Sequence, residues 1–217
     1  MMKIAGHIAV ALLSAMMLAT AGASADEIGT VNYVEVWAYG TPPQTSRLDL
    51  FQADAVETDE VVETVKGGAL HVVFLDDTEL RLGPASSVTL DSFVYDPSTS
   101  AGEFVADLGI GVFRVITGSL QKDAIQITTP VAVIGVRGTD FLVAVLATGT
   151  TIIQVLRGIV TITPKAGGDT STVAANQSAT MDPTGAVSAG GAVSPHGLEE
   201  VTKRHTDRNG RDKDSGD

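Results

Sequence analysis

The stretch that most constrains this chain runs from Ala124 to Val145. Aliphatic and β-branched residues lie almost unbroken on both sides of a polar and small-residue node, Gly135-Val136-Arg137-Gly138-Thr139-Asp140. Pro130 has no amide donor and glycine loses more backbone freedom than any other residue on ordering, so a helix is excluded here. The spacing predicts a strand, a sharp bend and a second strand. Thr151 to Ile162 repeats the scheme around a tight turn at Gly158. An all-β fold follows.

The rest of the sequence agrees. Glu27 to Tyr39 reads as one strand, stopped by Thr41-Pro42-Pro43-Gln44, because two prolines cannot continue a hydrogen-bonded ladder. Val56 to Val65 reads as one or two short strands. Leu70 to Leu75 and Glu79 to Leu82 form a predicted hairpin across Asp76-Asp77-Thr78, with Leu80 and Leu82 alternating against Glu79 and Arg81. Further strands are expected over Val88–Tyr95, Phe104–Leu108, Val112–Ile116 and, weakly, Ser171–Met181. Strands every eight to fifteen residues with turn signals between them suit stacked short strands, as a β-sandwich or a β-helix-like arrangement; the pattern fits both. No exact internal repeat is visible.

The two ends differ from this core. Lys3, an apolar stretch from Ile8 to Ala21 and the small-residue site Ala23-Ser24-Ala25 have the three-part layout of a secretory signal peptide over residues 1–25. That layout leads us to expect a periplasmic or secreted protein with no membrane span in its mature form. About 190 residues then remain, enough for one domain with a real core over 26–185. Residues 186–217 turn first small, then polar and mixed in charge, and are expected to be a disordered tail. Cysteine is absent, so burial alone must hold the fold together.

The chain carries 26 acidic and 14 basic residues, a net charge of −12. Such a charge repels nucleic acid and anionic lipid, and is compatible with a cationic ligand or a basic protein partner as well as with plain solubility. Catalytic signatures are thin. Ser119-Leu120-Gln121-Lys122 matches S-x-x-K, but that nucleophile pair works from a helix start and with companion motifs that are missing here. Past the leader the histidines are His71, His196 and His205, none paired at zinc-ligand spacing; His71 is expected at a half-exposed strand position. Asp76, Asp77 and Glu79 lack the spacing of a calcium loop and read as an acidic hairpin turn. Gly135-Val136-Arg137-Gly138 has the form of an RNA-gripping G-x-x-G loop, which joins helices and belongs to basic proteins. No enzyme, cofactor or metal is expected.

Several motifs occur in a telling order: Asp76-x-Thr78-x-Leu80-x-Leu82, then Gly111-x-Phe113-Arg114, then the block from Thr129 to Val143, T-P-x-A-x-x-G-x-R-G-T-x-F-x-V, and last Val155 to Ile162. Over Glu57 to Met181 the chain resembles the FecR family of periplasmic domains. The resemblance implies an all-β periplasmic module of stacked short strands. In the namesake branch that module receives a signal from an outer-membrane iron-chelate receptor and relays it through a membrane helix to a cytoplasmic segment controlling a sigma factor. Here only the leader precedes the module, so no sigma-factor-binding segment is expected, and the periplasmic module alone carries over.

Two places are candidates for partner contact. Arg137 lies between two glycines close to Asp140: it either ties turn carbonyls together while pairing with Asp140, since buried charge must be paired, or it faces a partner. Trp37 and Tyr39, beside the Pro42-Pro43 break, either pack into the core or form an aromatic contact patch. The functional expectation is a non-enzymatic exported β-domain that binds a protein or envelope component, possible roles being signal sensing or a structural, assembly role in the envelope.

Overall fold

The computed structural model describes residues 26–121 and 123–189. The expected leader, most of the expected tail and Lys122 lie outside the described residues. Sixteen strands and no helix make up the described chain. They are β1 (Glu27–Glu35), β2 (Ala38–Thr41), β3 (Leu48–Asp49), β4 (Ala55–Glu57), β5 (Glu60–Thr64), β6 (Ala69–Phe74), β7 (Glu79–Leu82) and β8 (Ser87–Asp96). Then follow β9 (Ala101–Leu108), β10 (Gly111–Ile116), β11 (Ile125–Thr128), β12 (Ala132–Val145), β13 (Thr151–Pro164), β14 (Ser171–Ala174), β15 (Ser178–Met181) and β16 (Val187–Ala189).

One hydrogen-bonded path links them, and it forks at β12. The first half of β12 pairs with β11, the second half with β10, while β13 runs antiparallel along the whole opposite side. From this spine one layer extends as β11, β9, β8, β5, β2, β3 and the other as β10, β7, β6, β1, β4. Every pairing is antiparallel except β9 with β11. The layers curl onto each other. Phe74 of β6 in one layer meets Phe93 of β8 and Phe104 of β9 in the other, with ring centroids 5.7 and 4.6 Å apart. Burying each such ring contributes about 1.5–3 kcal/mol, and tilted or edge contacts add to it. The core continues through Leu80, Leu82, Phe113, Ile127, Ile134, Phe141, Ile153 and Ile162, all fully buried at alternate positions of their strands.

The chain passes repeatedly from one layer to the other, so sandwich packing coexists with a winding character. Hydrogen bonds join Thr64 to Ser86, Ala106 to Thr128, Thr117 to Thr139 and Thr129 to Thr151, each pair 22 residues apart. A coil of about this length returns the backbone over itself, though the residues that mark it differ from turn to turn.

Three expectations need correction. The segment expected to bend at 135–140 bends instead at Thr129-Pro130-Val131, and β12 continues through the node as one 14-residue strand. The register slips there: Arg137 faces Ile159 while Asp140 faces Arg157, leaving Gly138 and Thr139 against Gly158. This is a β-bulge rather than a turn, and Gly158 likewise lies inside a 14-residue strand. Both glycines take positive φ, +58° and +84°, and a Cβ at Gly158 would lie 2.3 Å from the Gly138 carbonyl oxygen. The glycines thus let two long strands turn together from one layer into the other without losing their pairing. Second, the single strand expected over 27–39 is two, broken at Val36-Trp37, and the one over 171–181 is also two, broken at Ala175-Asn176-Gln177. Third, His71 is buried, at 6% exposure, with Nε2 3.1 Å from Glu79 Oε2. The last described strand, β16, ends at Ala189.

Candidate functional site: an aromatic rim at β1–β3

β1 ends at Glu35 because Val36 adopts φ +62°. That left-handed conformation is a genuine outlier for a β-branched residue, and it turns the chain so that Val36 and Trp37 leave the sheet for solvent. The backbone is held there from both sides. The Val65 N–H donates to the Trp37 carbonyl, and the Leu50 N–H donates to Ala38 O at 3.0 Å. The Trp37 indole N–H donates to Asp49 Oδ1 at 3.0 Å, fixing the ring against β3. Beyond β3, Asp54 closes a small loop by accepting the Phe51 N–H at 2.8 Å.

The outcome is a cluster of large apolar side chains in water. Val36 is 64% exposed, Trp37 50%, Leu48 56% and Phe51 61%. Between them lies a shallow groove of about 330 Å³ lined by Tyr33, Val34, Val36, Trp37, Leu50, Phe51 and Gln52. Folding alone does not explain such a concentration; contiguous exposed apolar surface marks contact sites. Beneath the rim Glu60 is buried, with Oε2 accepting the Glu57 N–H at 2.9 Å. Loss of hydration pushes its carboxyl above the usual carboxylate range; the Glu57 N–H opposes the shift and the Glu57 charge adds to it.

Of the two expected aromatic contacts, Trp37 lines the groove and Tyr39 does not. The Arg47 guanidinium sits 3.7 Å over the Tyr39 ring and reaches Glu63 at 3.4 Å, a cation–π contact combined with an ion pair. Phe51, Val36 and Leu48 complete the site. In sequence Leu48, Leu50 and Phe51 show too little alternation to mark a strand, and nothing local foretells that Val36 turns left-handed.

The other expected pair is separated. Arg137 is exposed and has no ion pair or side-chain hydrogen bond among the described residues. Asp140 belongs to Arg114 of β10: Nε donates to Oδ1 at 2.9 Å and Nη2 to Oδ2 at 2.8 Å. The bulge explains the correction. Asp140 falls in the half of β12 that pairs with β10, opposite Ile116, whereas Arg137 lies on the other side of the bulge, opposite Ile159. The Asp140 hydrogen bonds hold the Arg114 guanidinium charged, raising it above its ordinary value against the opposing effect of burial.

The acidic hairpin turn is a lock. Asp76 is fully buried and accepts both the N–H and the hydroxyl of Thr78, at 3.0 and 2.6 Å. Thr78 Oγ1 in turn accepts the Gly118 N–H at 3.0 Å, and the Asp76 carbonyl accepts the Ser119 hydroxyl at 2.7 Å. Ser119 therefore serves the β6–β7 turn. No group of three or more His, Cys, Asp or Glu side chains with metal-holding geometry occurs among the described residues, and no helix among them is long and apolar enough to cross a membrane.

Fold and rim together define an all-β, two-layered domain whose most distinctive surface is apolar and aromatic. Residues 60–161 match the family model described as FecR protein. Two crystal structures of a candidate anti-sigma factor from Parabacteroides distasonis share the fold. One has a TM-score of 0.50 at 13% identity, covering 65% of this chain and 62% of that one. The other has a TM-score of 0.51 at 13% identity, covering 67% and 64%. This chain thus spans under two thirds of the length of those proteins. No curated protein matches it.

Proposed function

We propose that this chain is an exported, non-enzymatic FecR-type β-domain that takes part in signal sensing at the cell envelope by binding a protein partner. The observation that carries the reading is the family match over 60–161, which spans β5 to β13 and so both layers. The fold shared with a candidate anti-sigma factor supports a regulatory rather than a chemical role. The exposed rim supplies the kind of surface that protein partners use. The signal-peptide layout of residues 1–25 supports export to the periplasm or beyond the cell.

Photo-crosslinking of the full chain in its own cells tests this. Reactive residues placed in turn at exposed positions of both layers are expected to capture one discrete envelope protein from a contiguous group of positions. Capture of further copies of the same chain alone would favour an assembly or spacer role, and recovery of the protein from the cytosol would remove the export step.

A further inference from the structure

The rim's charge setting specifies the partner's chemistry. Residues 26–66, which build β1 to β5 and the loops between them, hold nine acids against two bases. One of those bases, Arg47, is already engaged by Glu63 and the Tyr39 ring. Asp49 flanks Trp37 and Asp54 flanks Phe51, so carboxylates border the apolar groove directly. Among the described residues no Lys or Arg lines it. The strained Val36 sits at its lip, and strain of this kind persists only where surrounding structure imposes it, often at binding sites. β3, two residues long, is the last strand of its layer.

Resting on the protein-binding reading above, we propose that this rim binds a cationic segment of a partner protein, with aliphatic or aromatic side chains entering the Trp37–Phe51 groove and Lys or Arg side chains meeting the acidic border. A second copy of this chain is disfavoured as occupant because it would bring the same acid-rich strands against their like. Anionic lipid and nucleic acid are disfavoured for the same electrostatic reason. Apolar anchors supply the affinity in such a contact, and charge supplies attraction and selectivity.

Trp37 is the only tryptophan in the chain, so its emission reports the rim without labelling. Two tryptophan-free peptides serve as probes, one alternating lysine with leucine and phenylalanine, the other replacing every lysine by glutamate. Titrated into the full chain, the lysine peptide is expected to shift Trp37 emission to the blue and to shield it from acrylamide, more weakly as salt is raised. The glutamate peptide is expected to do neither. Phe51→Ser, at an exposed position that keeps the reporter, is expected to weaken lysine-peptide binding about tenfold. Equal binding of both peptides, no response to either, or a blue shift on concentrating the chain alone that Phe51→Ser abolishes would each overturn the proposal. A crosslinked envelope protein that maps to another face, with Trp37 unresponsive, sinks the rim inference and leaves the broader reading standing. A responsive rim with no envelope protein captured does the reverse.

Discussion

Arg114 and Asp140 meet through two parallel N–H···O contacts of 2.9 and 2.8 Å across β10 and β12, immediately beside the bulge where β12 changes layers. Both side chains are only 16% exposed, so the pair is neither a loose surface contact nor a fully dehydrated one. Charge-assisted, fork-shaped bonds of this type are the strong ones. Asp140→Ala is expected to destabilise the domain by about 2 kcal/mol, and Asp140→Asn by somewhat less. Urea unfolding measures this. A double-mutant cycle with Arg114→Met should show strong coupling; simple additivity would mean that the contact contributes nothing net.

The two glycines of the bulge differ in what surrounds them. A Cβ at Gly158 would press on the Gly138 carbonyl at 2.3 Å and on Thr139 Cγ2 at 2.7 Å, whereas one at Gly138 would meet nothing within 4 Å. Gly158→Ala is therefore expected to lower stability by about 3 kcal/mol or to prevent folding, since steric conflict adds to an unfavourable φ. Gly138→Asn, with φ +58° acceptable to asparagine, should cost less than about 1 kcal/mol. Thermal unfolding of the two variants side by side separates the cases.

Val36 offers the opposite sign. Its side chain is exposed and its backbone is left-handed, so little packing is lost on replacement. Val36→Asn is expected to raise stability by about 1 kcal/mol, the penalty a left-handed β-branched residue carries. A drop in midpoint denaturant concentration would show that the Val36 side chain contributes more than the strain removes.

Thr78 both donates to Asp76 and accepts from Gly118, joining the β6–β7 turn to the segment after β10. Thr78→Val keeps the shape and removes the hydroxyl, leaving the Gly118 N–H and the Asp76 carboxylate each short of a partner. A loss of about 2 kcal/mol is expected, together with faster amide hydrogen exchange at Gly118.

Glu60 links stability to pH. Its carboxyl is raised in the fold chiefly by loss of hydration, so the folded chain holds this proton more tightly than the unfolded chain. Its contribution is most favourable below the ordinary carboxylate range and is lost as pH rises through the folded value. Glu60→Gln, whose side-chain carbonyl can still accept the Glu57 N–H, is expected to raise the melting temperature at neutral pH, with the gain shrinking on acidification. A gain that grows as pH falls would contradict the sign.

Much of this architecture is legible in the residues. The β6–β7 hairpin shows because Leu80 and Leu82 alternate with Glu79 and Arg81, and the family resemblance rests on the Asp76–Thr78 turn and the Thr129–Val143 block. What escaped is non-local. Gly138 and Gly158 look like turns in isolation; only their apposition across two strands makes them a bulge. Asp140 has a charge three residues away in Arg137, yet its partner is Arg114, 26 residues off in sequence, because pairing with β10 decides which side chains share a face. The 22-residue winding leaves no repeat since hydroxyls, backbone carbonyls and amides mark it interchangeably. At the rim, Trp37 was visible as an aromatic, but its exposure depends on a left-handed valine that composition does not announce.

The shared spine also has a mechanical meaning. Because β12 and β13 are continuous through both layers, neither layer can slide or peel from the other without breaking ladder bonds along two 14-residue strands. A load applied to one layer would accordingly pass into the other through the β12–β13 ladder rather than be taken up by shear between the layers.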